Sequence, residues 1–354
     1  MADVRFALMG CGRISRKHAE ALSGKVEGAQ LVAVCDLLPE RARALGTQYG
    51  VPFYPSLEEL AAREEIDVVN VLTPSGLHAR HTVQVARLHK HVVVEKPMAL
   101  TLEDADSMIR ECDLNNVRLF IVKQNRYNAP VQLLRQAVES GRFGKMVLGT
   151  VRVRWCRRQE YYDQDSWRGT WAFDGGVFTN QASHHIDLLE WMMGDVDSVF
   201  AKTSTRLVRI ETEDTGVATL KFRNGALGVI EATTATRPKD LEGSISILGE
   251  RGSVEIAGFA VNQMRVWQFQ DQTAEDDRIV REAGASSPDV YGSGHIAFLH
   301  NVVACIQHRQ RALVDGLEGR KSLELINAMY ESAETGKEVP LRFSPQKCRL
   351  GQGA

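Results

Sequence analysis

The 354-residue chain has no cysteine pair of the C-x-x-C kind; Cys11, Cys35, Cys112, Cys156, Cys305 and Cys348 are scattered along it. That argues against a disulfide framework and against cysteine-rich metal sites. Free thiols in a reducing, cytoplasmic compartment are expected, and no metal. No apolar run approaches the roughly 20 residues that cross a bilayer, so no membrane is expected. Positive charge is not in excess either. The formal net charge is −2, which speaks against a nucleic-acid partner. Low-complexity tracts and internal repeats are missing. The opening Met-Ala-Asp-Val-Arg runs straight into an apolar strand and is not expected to be a signal peptide. What remains is a globular chain. Its length predicts two domains, because single cores stop growing near about 250–300 residues.

What is present begins with a phosphate-binding turn. Val4 to Met9 read as a strand that runs into Gly10-Cys11-Gly12-Arg13-Ile14-Ser15, and a helix follows from about Arg16 to Leu22. Strand, glycine turn and helix, in that order, give G-x-G-x-x-G its meaning. Gly10 permits the tight turn, Gly12 lets backbone approach a pyrophosphate, and the helix N-terminus offers N–H groups to it. Ser15 replaces the third glycine, so the helix is expected to sit slightly further from the strand. The next strand, 30–36, ends in Asp36, where a carboxylate can accept hydrogen bonds from an adenosine ribose. Without Asp36 the pattern would read as any glycine-rich turn of a doubly wound sheet.

The first third alternates strands (4–9, 30–36, 66–72, 91–95, 117–123) with helices (16–22, 39–49, 76–89, 101–114), which predicts a parallel sheet. Near residue 145 the texture changes. Strands are expected at 145–158, 196–208, 213–223, 225–236, 243–249, 252–257 and 261–269, with Asn224-Gly225 as a hairpin turn. Helices at about 128–140, 183–193 and 294–310 interrupt or close this half. A last helix, about 317–335, ends at Gly336, and 271–293 reads as a loop. The expected fold is α/β. A Rossmann domain (1–123) is followed by an α+β domain (124–354) with an open, mostly antiparallel sheet, and the C-terminal helix packs back on the first domain.

Three constellations carry chemistry. Strand 91–95 ends in Glu95-Lys96-Pro97, with the Lys96–Pro97 peptide expected to be cis. A lysine at a parallel strand's carboxyl end faces the ligand crevice and can hold or take a hydroxyl proton; a plain surface lysine is the alternative. Asp174-Gly175-Gly176 leads into Asn180-Gln181-Ala182-Ser183-His184-His185-Ile186-Asp187. Asn180 and His184 share a helix face if the helix starts early enough, and Asp187 could orient the imidazole. His184 could act as general base; a capping Asn with a core histidine, or a His-His metal pair, are the other readings. Residues 152–171 are rich in arginine and aromatics. Arg152, Arg154, Arg157, Arg158 and Arg168 suit phosphate and carboxylate, with Tyr161, Trp167 and their neighbours able to stack on a base or sugar. A solvated strand edge reads equally well.

Gly10-x-Gly12 with Asp36, Thr73-Pro74-Ser75, His78, Glu95-Lys96-Pro97 and Gly175-Gly176 before Asn180-x-x-x-His184 together resemble the Gfo/Idh/MocA oxidoreductases. The resemblance covers nearly the whole chain, including the closing Gly319-Arg320-Lys321-Ser322-Leu323-Glu324. It implies a nicotinamide cofactor, with Lys96 and His184 as the catalytic pair. It implies cofactor contacts from Gly10, Cys11, Gly12, Arg13, Ile14 and Asp36, from Thr73, Pro74, Ser75 and His78, from Glu95 and Lys96, and from Gln124, Trp167 and Arg168. Substrate contacts are implied for Lys96, Asn125, Arg154, Arg157, Tyr161, Arg168, Asn180 and His184. The usual motif has Asp where Asn180 stands, which shifts weight to His184 and Lys96. Leu37, not Arg, follows Asp36, so NAD is favoured over NADP.

A closer resemblance runs through Lys123-Gln124-Asn125-Arg126-Tyr127-Asn128, Arg154-Trp155, Tyr161-Tyr162-Asp163 and Trp167-Arg168-Gly169-Thr170-Trp171. These are similar to sugar-nucleotide dehydrogenases that oxidise the 3-hydroxyl of UDP-N-acetylglucosaminuronate in surface-polysaccharide synthesis. A homo-oligomer, dimer or tetramer, is implied too. The competing expectations are a dehydrogenase of a free sugar or inositol, and a non-catalytic protein that senses a dinucleotide or sugar.

Overall fold

Alternating strands and helices open the chain, as the sequence pattern predicts. The computed structural model describes residues 2–283, 294–341 and 348–351. In order come β1 (Val4–Met9), α1 (Ser15–Leu22), β2 (Ala29–Cys35), α2 (Pro39–Tyr49), β3 (Phe53–Tyr54), α3 (Leu57–Arg63) and β4 (Val68–Val71). Then follow α4 (His78–Arg87), β5 (His91–Val94), α5 (Leu102–Leu114) and β6 (Leu119–Ile121). They form a parallel sheet in the order β3-β2-β1-β4-β5-β6. β4 and the Val92–Val94 stretch of β5 are fully buried, as strands covered by helices on both faces must be. β3 and α3 are additions to the sequence reading. α3 does carry a signal: the Ser56 hydroxyl accepts from the Glu59 N–H at 3.2 Å, the first half of a capping box.

The remaining elements are α6 (Ala129–Glu139), β7 (Met146–Arg154), α7 (Gln159–Tyr162), α8 (Ser183–Met193), β8 (Val196–Ser204), β9 (Thr215–Phe222) and β10 (Leu227–Thr233). After them come β11 (Glu242–Gly249), β12 (Gly252–Ala257), β13 (Gln263–Phe269), α9 (Ala274–Ala283), α10 (Gly294–His308), α11 (Gly316–Thr335) and β14 (Val339–Pro340). Eight strands form one sheet, ordered β13-β12-β11-β7-β10-β9-β8-β14. Every pairing is antiparallel except β7 with β10. One face is apolar and covered by α8; the other carries the intermediate and exposed residues of each strand.

Two expectations are corrected. The loop expected over 271–293 contains α9; its remainder, 284–293, lies outside the described residues. The helix starts because Thr273 and Asp276 cap it reciprocally, and Asp276 also binds Arg142 at 2.7 Å and the Trp267 indole at 2.6 Å. Second, α10 does not belong to the later half. The chain divides into a unit of residues 1–124 and 295–320 and a unit of 125–294 and 321–354. α10 and the first turn of α11 return to the Rossmann unit, where Gly319 packs against Ile121. An apolar helix looks alike whichever core it enters. Gly336 follows α11 at φ +67°, the left-handed position expected for it.

Candidate active site

In the first unit the chemistry-bearing residues stand at the carboxyl ends of neighbouring strands. β1 leads into Gly10, β2 into Asp36, β4 into Thr73-Pro74-Ser75 and β5 into Glu95-Lys96, and β2, β1, β4 and β5 are adjacent. This is the edge where open α/β sheets bind ligands. Gly10 has φ +100°, and a Cβ there would lie 2.9 Å from the Leu72 backbone. At Gly12 an added Cβ would meet nothing within 4 Å, so that side of the turn leaves room for a phosphate. Asp36 accepts from the Cys11 N–H at 2.7 Å and the Leu38 N–H at 2.8 Å, which fixes its carboxylate beside the turn. Leu37 beside it is 82% exposed and brings no cation. Ser15 is buried, and its hydroxyl donates to the Gly12 carbonyl at 2.6 Å, so the missing third glycine becomes a tie within the turn. These residues fit a dinucleotide.

Lys96 is half-buried, and the Lys96–Pro97 peptide is cis, as expected. Two residues expected at the cofactor turn inward instead. His78 is buried, with Nδ1 2.8 Å from the Pro97 carbonyl and Nε2 2.8 Å from the Thr73 carbonyl. It ties the loop after β4 to the loop after β5. Burial lowers its pKa, against the pull of the two carbonyls. Glu95 is also buried. Asn70 donates to His18 Nδ1 at 2.9 Å, leaving Nε2–H to donate to Glu95 at 2.9 Å. The second Glu95 oxygen accepts from the Lys96 N–H at 3.1 Å, and His295 Nε2 lies 3.6 Å from the first. Burial alone would raise the Glu95 pKa; the hydrogen bond from His18 and the adjacent His295 ring outweigh it and hold it well below the carboxylate range. Sequence reasoning missed this trio, because His18 and His295 are far from Glu95 along the chain.

In the second unit, α8 starts at Ser183, so Asn180 stands in the turn before the helix and His184 in its first turn. Asp174, 1% exposed, organises that turn. One of its oxygens accepts from the Gly169 N–H at 2.8 Å and the other from the Asn180 side-chain amide. Gly175, at φ +78°, turns the chain between them. Below lies Glu213, which accepts from the Phe178 N–H at 3.0 Å and the Tyr330 hydroxyl at 2.8 Å. Tyr330 in turn accepts from the Gly176 N–H and the Thr179 hydroxyl. Burial pushes the Glu213 pKa up to about 7. His184 is 8% exposed, whereas His185 is fully buried edge-on to Trp155, and burial pushes the His185 pKa down to about 4. Asp187, expected to orient His184, gives both oxygens to Arg126 at 2.8 and 2.9 Å.

The arginines divide into two sets. Arg157 and Arg168 lie against Tyr161, with guanidinium carbons 5.5 and 4.7 Å from its ring centre, and Arg168 donates to the Tyr161 hydroxyl at 2.9 Å. Arg168 also lies over Trp167, and Arg157 over Trp155. Burial raises the Tyr161 pKa. Arg157 and Arg168 also each meet a carboxylate, Asp240 at 3.0 Å and Asp165 at 3.3 Å. Arg154 meets two, binding Glu231 through two nitrogens at 2.6 and 2.8 Å and Glu242 at 3.1 Å. Its expected contact with substrate gives way to carboxylates on the neighbouring strands. Asn125 is buried in the short helical turn 124–127.

Residues 4–123 match the NAD-binding Rossmann fold of the GFO/IDH/MocA oxidoreductase family, and residues 135–341 match its C-terminal α/β domain. The chain belongs to the Gfo/Idh/MocA oxidoreductase family. A WlbA dehydrogenase from Bordetella pertussis, solved in complex with NADH and UDP-GlcNAcA, is 47% identical over 97% of this chain and 99% of that one, with a TM-score of 0.93. The WlbA dehydrogenase from Chromobacterium violaceum, in complex with the same two ligands, is 44% identical over 97% of each chain, with a TM-score of 0.91. A myo-inositol 2-dehydrogenase from Thermotoga maritima is 29% identical over 96% of this chain and 98% of its own. This member of the Gfo/Idh/MocA family is an NAD-dependent dehydrogenase. Among the described residues no helix is long and apolar enough to cross a membrane, and all six cysteines are free.

Proposed function

We propose that the enzyme oxidises the 3-hydroxyl of a UDP-N-acetylated hexuronic acid to the 3-keto sugar, in the cytoplasmic synthesis of surface-polysaccharide sugars. The observation that carries this reading is the Arg157–Tyr161–Arg168 cluster in a chain 44–47% identical to WlbA dehydrogenases. A diphosphate and a uronate carboxylate use such cations; a neutral polyol does not. His184 takes the proton of the 3-hydroxyl. Lys96 binds the same oxygen and stabilises its developing negative charge. NAD, when bound, supplies the hydride acceptor. Asp36 accepts from the adenosine 2′-hydroxyl and repels a 2′-phosphate, which gives NAD preference over NADP. Asn180 hydrogen-bonds the sugar.

The myo-inositol relative favours a second reading, oxidation of a free polyol. Absorbance of reduced nicotinamide, followed with UDP-sugars, free uronates and inositols, separates the two. The UDP-hexuronate should be oxidised fastest; faster oxidation of inositol would reject the proposal. Exposed Phe200, Val217, Leu227 and Val229 on the open sheet face support a homo-oligomer, dimer or tetramer. Light scattering on the eluting protein checks it.

A further inference from the structure

The contact between Asp174 and Asn180 serves an end beyond holding a turn. Asp174 is buried, and its second oxygen is already occupied by the Gly169 N–H. A carboxylate only accepts, so the end of the Asn180 amide that faces it is the NH₂ end. The Asn180 carbonyl oxygen is thereby turned away from Asp174. We propose that Asp174 is the positioning residue that presents the Asn180 oxygen as an acceptor to a hydrogen-bond donor on the sugar. This rests on the substrate role proposed above for Asn180. It also gives a physical reason for asparagine at a position where the family's usual motif has aspartate. An aspartate at 180 would put two carboxylates at hydrogen-bond distance, and such pairs share one proton. Among the described residues, ionisable groups that interact with Asp174 include Glu213, Tyr161 and Tyr162, with Tyr330 bonded to Glu213 and His184 four residues beyond Asn180.

The test uses four full-length enzymes: wild type, Asp174→Asn, Asn180→Asp, and the exchanged pair Asp174→Asn with Asn180→Asp. Asp174→Asn faces amide with amide and frees the Asn180 side chain to rotate. Its kcat/KM should fall about 10–100-fold, the cost of misplacing a substrate-positioning group, with NADH affinity unchanged. Asn180→Asp should lower kcat/KM, with the remaining activity highest while the carboxylate pair keeps its shared proton. Its kcat/KM profile should gain an ionisation above the ordinary carboxylate range, with loss on the alkaline side. The exchanged pair restores one amide facing one carboxylate. It should recover most of the Asp174→Asn loss, and the added ionisation should vanish. A substrate-independent reading comes from melting temperatures. Asn180→Asp should lose stability relative to wild type as pH rises from 5 to 9, and the exchanged pair should not. A pH profile and melting series for Asn180→Asp that parallel wild type, or no recovery in the exchanged pair, would overturn the proposal. An error in the substrate reading is visible separately, as a wild type inactive on the UDP-sugar; the kinetic series then runs on whichever sugar the wild type oxidises.

Discussion

The Rossmann unit hangs its chemistry from strand ends, whereas the second unit wedges its own in place with buried carboxylates. Gly10, Asp36, Thr73 and Lys96 need only the sheet order to come together. Asn180 needs Asp174 beneath it, and Gly175-Gly176 needs Tyr330 and Glu213. A parallel sheet is one cooperative frame, so its edge residues are placed by backbone hydrogen bonds that any apolar sequence can make. A turn on buried carboxylates is placed by side chains, and their ionisation enters its stability. The first arrangement suits the NAD-binding unit.

The largest effects should come from breaking one proposed catalytic group in each unit. Lys96→Met and His184→Asn should each lower kcat by about 10²–10⁴-fold, the usual range for a lost proton-transfer group. Steady-state assays with NAD and the UDP-hexuronate check this. Both proteins should melt close to wild type and bind NADH. The wild-type kcat/KM profile should show an ionisation that disappears in His184→Asn; near-normal turnover by that variant would move the base to Lys96 or a tyrosine.

The buried carboxylates should show themselves next. The Glu213 pKa is raised in the folded protein to about 7. A raised carboxyl pKa means that the folded state holds its proton more tightly. Stability from this group is therefore complete at acid pH, below the unfolded pKa, and drains away as pH rises through about 7. The loss amounts to about 3 kcal/mol at 1.36 kcal/mol per unit. Melting curves from pH 4.5 to 8.5 should converge on those of Glu213→Gln at one end and diverge at the other, the glutamine variant gaining relative to wild type as pH rises. Parallel curves would mean that Glu213 is ionised throughout.

Smaller effects should separate the arginines. Arg168→Ala should raise KM for the UDP-sugar at least tenfold, since a charged hydrogen-bonding partner is lost. Arg154→Ala should leave KM within about twofold and act on the sheet instead, because Arg154 bridges Glu231 and Glu242 on the two neighbouring strands, whereas Arg168 has one carboxylate, Asp165, and stands against Tyr161 and Trp167. Equal KM changes in the two variants would remove the distinction.

The same contrast explains what the sequence made legible. The strand-end residues follow from periodicity and from Gly10, whose φ of +100° no side chain readily adopts. The direction of a side chain at a strand end does not follow. His78 and Glu95 were expected at the cofactor and instead turn inward, because their partners Pro97, Thr73, His18 and His295 are set by tertiary packing. Alternation put Arg152 and Arg154 on one face correctly. Their glutamates became visible only with the register, in which Glu231 sits opposite Arg152 and Glu242 opposite Arg154. Asp174 was visible only as the start of Asp174-Gly175-Gly176, and nothing in the sequence pointed to its bond with Asn180. Asn180 lies six positions further on, a spacing with no helical or strand meaning, and the turn at Gly175 closes the gap. Thr273 and Asp276, by contrast, did spell a helix start that hydropathy alone obscured.

The proposed division between a cofactor unit and a unit that supplies the arginines for the sugar is tested most directly by titrating NADH and the UDP-hexuronate separately into Asp36→Ala and Arg157→Ala by calorimetry. Asp36→Ala should weaken NADH about tenfold or more while leaving sugar affinity within about twofold, and Arg157→Ala should do the reverse. Loss of both ligands in either folded variant, or loss of NADH in Arg157→Ala alone, would contradict the division.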